Sequence, residues 1–164
     1  MLNYILHACP CGYYGDPVKE CRCSNSEISR YQKRISGPLL DRIDIFIEVP
    51  RVEYEKLTDD SLGESSEKVR ARIEAARQIQ QRRFQATKLT CNTEMTPIEV
   101  KQFCQIEAPA QSLLRTAMKQ LHLTARAFHR ILKLARTIAD LDDANIIKPN
   151  HLAEALQYRQ RTVN

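Results

Sequence analysis

Residues 123–141 read LTARAFHRILKLARTIADL, and within them Phe128, Ile131, Leu132, Ala135, Ile138 and Ala139 recur at i, i+3, i+4 and i+7 spacing. That period builds one broad apolar face on a helix, and Thr124 stands where a side chain caps the first turn. A face so wide must be covered by other helices. The flanking sequence supplies them. Thr96-Pro97-Ile98-Glu99 joins a capping box to a proline at the first helical position, which predicts a helix to about Cys104. Pro109 opens another to about Gln120, and Pro149 starts a last one with Leu152, Ala155 and Leu156 inward. Residues 93–164 are therefore expected to form a helical bundle.

Upstream, residues 66–88 contain no proline or glycine and are rich in Ala, Arg, Gln and Glu, which predicts one long helix. Its apolar stripe, Val69, Ile73, Ala76 and Ile79, is thin, so one narrow face is expected to be buried. Such a helix suits a connector, here residues 65–92, between two lobes. Ile43-Asp44-Ile45-Phe46-Ile47-Glu48-Val49 alternates apolar and acidic residues and ends at Pro50, the pattern of a strand. Ser24-x-x-Glu27 has capping-box spacing, and a short helix near 26–36 is expected before Gly37-Pro38 stops it.

The chain is 164 residues long with 43% hydrophobic and 27% charged residues, an ordinary balance for a soluble globular chain, so disorder and collagen-like repeats are excluded. No apolar run reaches the roughly 18–20 residues of a membrane span and the first residues lack a signal-peptide pattern, so a cytoplasmic chain without membrane contact is expected. Glycine excludes more. The four glycines, Gly12, Gly15, Gly37 and Gly63, are scattered and none precedes lysine, so neither a phosphate-cradling P-loop nor a dinucleotide fingerprint is present. G-x-S-x-G and H-E-x-x-H are absent too, which removes the usual hydrolase and metalloprotease carriers. The net charge of +5 comes from a basic excess after residue 60 and permits phosphate contact, although a solvated helix face gives the same count.

Four of the six cysteines, Cys9, Cys11, Cys21 and Cys23, fall within fifteen residues as C-x-C…C-x-C in a turn-rich segment, residues 9–23. Three readings are open. Four thiolates can complete a tetrahedral Zn2+ shell, although a one-residue gap makes it harder to bring both sulfurs of a pair onto one ion than the familiar C-x2-C does. The loop can instead hold reduced cysteines without metal, or a disulfide formed on isolation. Cys91 and Cys104 lie apart and read as small apolar residues, Cys104 on a buried helix face.

Three stretches together carry a resemblance: YQKRISGPLLDRID at 31–44, the CPCG…CRC cluster before it, and LTARAFHRILKLARTIADL. They are similar to the magnesium-chelatase-like AAA+ ATPases of the ComM/YifB type, over nearly all of residues 8–161. The first seven residues depart from the pattern, and His7 stands where the family places a sensor asparagine. The resemblance implies a mainly α fold. Residues 1–64 would be the C-terminal remnant of an AAA+ α/β core, with one strand and the cysteine-rich loop. A long connecting helix, 65–92, and a helical lid, 93–164, would follow. It also implies a longer parent that holds ATP and Mg2+ upstream and assembles into a homo-hexameric ring. The remodelled target would be DNA or, by likeness to the chelatase subunit, another protein.

Arg42 occupies the arginine of LLDR, the family's arginine finger, with Asp41 orienting it and the Gly37-Pro38 turn fixing its direction. Taken alone, Asp41-Arg42 reads as a surface ion pair at a strand start. Arg126 matches the lid's sensor-2 arginine, and Arg130 and Lys133 continue the same helix face, open to nucleotide, a neighbouring subunit or water. Arg136 reads as structural, pairing with Asp140 four residues on. A chain with finger and sensor but no cradle is expected to be inactive as an ATPase by itself. The alternative is a zinc-stabilised helical module that binds DNA or protein with no ATP role.

Overall fold

A computed structural model of the chain describes residues 7–34, 42–49, 51, 52, 54 and 63–159. The chain divides into two compact units, Met1–Ile43 with Ile47–Asp60, and Asp44–Phe46 with Ser61–Asn164.

In the first unit the cysteine-rich segment folds through tight turns. Gly12 and Gly15 sit at φ +82° and +83°, where a Cβ is strained, and the Gly12 N–H closes a turn on the Cys9 carbonyl at 3.1 Å. Asp16 Oδ1 accepts from the N–H groups of Val18 and Lys19 at 2.8 and 2.9 Å, turning the chain again. Helix α1 is Asn25–Gln32. Its capping box forms as the spacing predicts, with Glu27 Oε2 accepting from the Ser24 N–H at 2.8 Å. Ile28 is buried, and Gln32 Nε2 donates to the Ala8 carbonyl at 3.0 Å, tying α1 back to the loop before it.

The regular elements among the second unit's described residues are helices: α2 (Ser66–Phe84), a 3-10 turn (Asn92–Glu94), α3 (Pro97–Phe103), α4 (Ala108–Gln120), α5 (Ala125–Leu141) and α6 (Pro149–Gln157). The caps explain the boundaries. Ser65 and Thr124 accept from backbone N–H groups of the first turns of α2 and α5, and Glu99 accepts from the Thr96 N–H at 2.6 Å ahead of α3. His151 does this for α6 through Nδ1, which accepts from the Lys148 N–H at 3.1 Å. Helices α4 and α5 both end in Schellman turns, Leu123 N–H to the Met118 carbonyl and Ala144 N–H to the Ala139 carbonyl. The left-handed positions of those turns are held by His122 (φ 46°) and Asp143 (φ 49°) instead of glycine.

The core packs α5 against α2, α3 and α6, with α4 on α6. Ile131, Leu132, Ala135 and Ala139 of α5 meet Phe84, Val100, Cys104, Leu114, Ile147 and Leu152. Phe84 and Phe103 stack edge to face at 5.4 Å. A single parallel bridge, Ile106 with Ile147, joins the segments leading into α4 and α6.

Four sequence expectations change. Residues 43–49 form no strand: among the described residues no neighbouring strand takes up their N–H and C=O groups, and a period-2 pattern makes a strand only with a partner. Ile47 and Val49 are 70% and 84% exposed, and Phe46 donates its N–H to the Tyr158 carbonyl at 2.8 Å. Helix α2 stops at Phe84, where the Thr87 N–H and hydroxyl both turn onto the Phe84 carbonyl. Its buried stripe is Ala76, Gln80 and Phe84, whereas Ile73 is 49% exposed. Helix α1 ends at Gln32 with Lys33 as its C-cap, short of the expected residue 36; Gly37 and Pro38 lie outside the described residues. No helix among the described residues is long and apolar enough to cross a membrane.

Candidate functional site

The cysteine segment gathers its sulfurs. The Sγ atoms of Cys9, Cys11, Cys21 and Cys23 all lie within 4.8 Å of one another, with Cys9–Cys11 at 3.4 Å, Cys11–Cys21 at 3.5 Å and Cys9–Cys21 at 3.7 Å. Four ligands at a Zn–S length of about 2.3 Å in a tetrahedron stand about 3.8 Å apart, so this cluster matches a single-ion shell. The one-residue gap is overcome locally, because the Cys9–Gly12 turn folds Cys9 and Cys11 onto one side. None of the six cysteines is in a disulfide. The Tyr13 N–H lowers the Cys11 thiol to about 6, with further hydrogen bonds from the cluster. Cys21 is pushed up to about 12: the Cys23 N–H favours its thiolate, but desolvation and the neighbouring sulfurs outweigh that. Cation binding at such a mixed cluster displaces the remaining thiol protons. The four residues can hold a metal ion.

The arginines divide between the units. Arg42 is exposed, in a turn of the first unit; Asp41 lies outside the described residues. Arg126, at the second position of α5, is also exposed. The stripe that continues from it is engaged within its own unit. Arg130 Nε pairs with Asp44 at 3.3 Å, and Lys133 Nζ donates to the Thr93 carbonyl at 2.8 Å.

Arg136 and Asp140 are fully buried side by side, Nε to Oδ1 at 3.0 Å, as the i, i+4 spacing predicts. The rest of their network is not visible in the sequence. Arg83, at the end of α2, makes a two-point contact to the Asp140 carboxylate and donates to Asn92 Oδ1 at 2.9 Å. Asn92 donates to Asp140 at 2.8 Å and Thr137 at 3.0 Å, and its N–H reaches Gln80 at 3.4 Å. Arg136 also donates to the carbonyls of Ala144 and Asn145, tying the loop after α5 back onto the helix. Burial pulls the Arg136 pKa down while Asp140 offsets the loss. This network fixes α2, the 3-10 turn and the end of α5 to one another, and so holds the helix that displays Arg126.

Comparison with known proteins places both units. The family described as magnesium chelatase, subunit ChlI C-terminal, matches residues 63–159, and that described as magnesium chelatase, subunit ChlI, matches residues 1–57. The second match begins at residue 1, so the first seven residues lie within it, against the expectation that they depart from the family pattern. The chain is 39% identical over 155 residues to the uncharacterised protein YifB of Escherichia coli and to the competence protein ComM of Haemophilus influenzae. In both cases 94% of the chain and 29% of the relative are covered. An uncharacterised protein of Mycobacterium bovis is 31% identical over 97% of the chain and 31% of its own length. The chain thus spans less than a third of the length of these relatives.

Proposed function

The chain belongs to the magnesium chelatase subunit ChlI family, and on that premise we propose that it is the finger-and-lid part of a ring-forming AAA+ ATPase of the ComM/YifB type. In this reading residues 1–64 carry the finger and the cysteine clamp, 65–92 connect, and 93–164 form the lid. The observation that carries it is the family match over both units, with both matched arginines on the surface. Arg42 and Arg126 are exposed, whereas Arg130, Lys133 and Arg136 are bound within their own unit.

Magnesium-bound ATP, held by the upstream part of the parent, would supply the scissile phosphoryl group. Arg42 reaches a neighbouring subunit's nucleotide and offsets charge building on the γ-phosphoryl oxygens, with a planar fork that lysine cannot reproduce. Arg126 contacts phosphate from the lid, so loss of phosphate changes the lid angle; Arg130, on the same face, would reach phosphate only by leaving Asp44. The work of the ring is directed to DNA, as branch migration or helicase-like remodelling, a reading supported by the likeness to a competence protein. The ring is a homo-hexamer.

The isolated 164-residue chain is expected to show no ATP turnover above background in a phosphate-release assay. Turnover that disappears in Arg42→Ala would contradict this, because it would require a nucleotide cradle within these residues.

The cysteine cluster holds Zn2+ as a structural clamp. Metal analysis after reducing purification should find about one zinc per chain, the stoichiometry of one tetrahedral four-cysteine site. Cys21→Ser should lower it severalfold, and a zinc content near zero in the unaltered chain would remove the clamp. The sulfur geometry also favours a second reading, a zinc-stabilised DNA- or protein-binding module without an ATP role. In that case Arg42→Ala would leave the parent's turnover unchanged.

A further inference from the structure

Ser26, Ser29, Arg30, Lys33 and Arg34 fall at i, i+3, i+4, i+7 and i+8, one continuous face of α1 and the turn that closes it. They line an open groove of about 450 Å³, and all five are exposed. The lining holds three cations and two hydroxyls and no carboxylate. Cations suit the C-terminal end of a helix, but three of them at i, i+3 and i, i+4 spacing repel one another and leave a net positive surface that an anion would complete. Glu27, on the same helix, offsets it only in part. Its carboxylate accepts from the Ser24 N–H and hydroxyl at 2.8 Å each, and those bonds, more than Arg30, hold it below the usual carboxylate range.

From these features we infer that this face of α1 binds the phosphate backbone of a nucleic acid. From Ser26 to Arg34 the stripe advances eight residue rises, about 12 Å at 1.5 Å each, which spans several successive phosphates of one strand and exceeds a single phosphoryl group. The groove is open and no aromatic side chain lines it, so it offers neither enclosure for a small nucleotide nor a platform for base stacking. Recognition is therefore electrostatic and independent of sequence. The platform is held in place. Ile28 is buried on the side away from the stripe, Gln32 ties the helix to Ala8, and the cysteine cluster ends immediately before the Ser24 cap.

Helix α2 carries more basic residues but does not make the same surface. Glu67 and Glu74 interrupt it and Arg72 is paired with Glu64 at 2.9 Å, the composition of a solvated face.

The inference rests on the DNA reading above for its partner and not on ATP, so it is tested without nucleotide and its failure leaves Arg42 and Arg126 unaffected. The whole chain is titrated with a fluorescent mixed-sequence duplex between 50 and 200 mM salt, beside the triple variant Arg30→Gln, Lys33→Gln, Arg34→Gln. Three phosphate contacts contribute about 2.7 to the slope of log K against log salt, so the variant should lose about that much slope, equivalent to about 40-fold over this range. Its thermal unfolding should match the unaltered chain, because all three side chains are exposed. The α2 variant Lys68→Gln, Arg70→Gln, Arg77→Gln should keep the original slope. Equal slopes for the α1 variant and the unaltered chain would overturn the inference, as would loss of slope in the α2 variant alone. Inorganic tripolyphosphate should compete only weakly. Tight tripolyphosphate binding that the α1 variant abolishes, with duplex binding intact, would reassign the groove to small phosphates and overturn the nucleic-acid inference.

Discussion

Replacing Asp140 by alanine is expected to cost the helical unit about 3–5 kcal/mol, because it removes one partner of a buried ion pair and leaves the other charge unpaired. Arg136 is 1% exposed and cannot turn to water. Arg83 loses both of its carboxylate contacts, and Asn92 loses an acceptor. A domain of this size is stable by about 5–15 kcal/mol, so the loss is large enough to unfold part of the population at 37 °C. Urea unfolding followed by circular dichroism measures it. Asp140→Asn keeps the shape and removes the charge, and should fall between the two. A loss below about 1 kcal/mol for Asp140→Ala would mean that the network is dispensable and that apolar packing alone fixes α5.

Much of the helical unit is legible in the sequence because its signals are local. Thr124, Thr96 with Glu99, and Pro97, Pro109 and Pro149 mark helix starts through bonds that span three or four residues, and the α5 period names most of its own core face. Partnerships across long separations are not legible in this way. The pairing of Arg83 with Asp140 spans 57 residues, and nothing in either neighbourhood distinguishes Arg83 from Arg82. Gln80 is illegible for the same reason: the apolar stripe of α2 is thin, and its inward face is completed by an amide bonded to Asn92. Residues 43–49 show the converse, a local pattern whose strand depends on a partner that the described residues do not contain. For the cysteines, composition brought four sulfurs into one segment, but the Gly12 turn that folds Cys9 beside Cys11 is a matter of geometry. The roles of Arg42 and Arg126 come from family resemblance. Their chemistry as single arginines in a basic chain is shared with many solvated neighbours.

Arg42→Ala is expected to lower ATP turnover of the assembled parent by about 10³–10⁵, the range that a trans-acting guanidinium supplies in phosphoryl transfer. ATP affinity should change far less, since the developing charge that Arg42 meets is present mainly in the transition state. Arg42→Lys should recover little, because a point charge cannot take two phosphoryl oxygens in one plane. Loss of binding together with turnover would instead indicate a structural role.

The most direct measurement is turnover in mixed rings. Full-length Arg42→Ala subunits are mixed with full-length subunits whose proposed upstream ATP site is disabled but whose Arg42 is intact. If Arg42 acts across the subunit boundary, an intact cradle in one subunit meets an intact finger from its neighbour, and the mixture should hydrolyse ATP although neither parent population does. A mixture as inactive as its two components, in rings shown to contain both subunits, would contradict the assignment of Arg42 as a finger acting in trans.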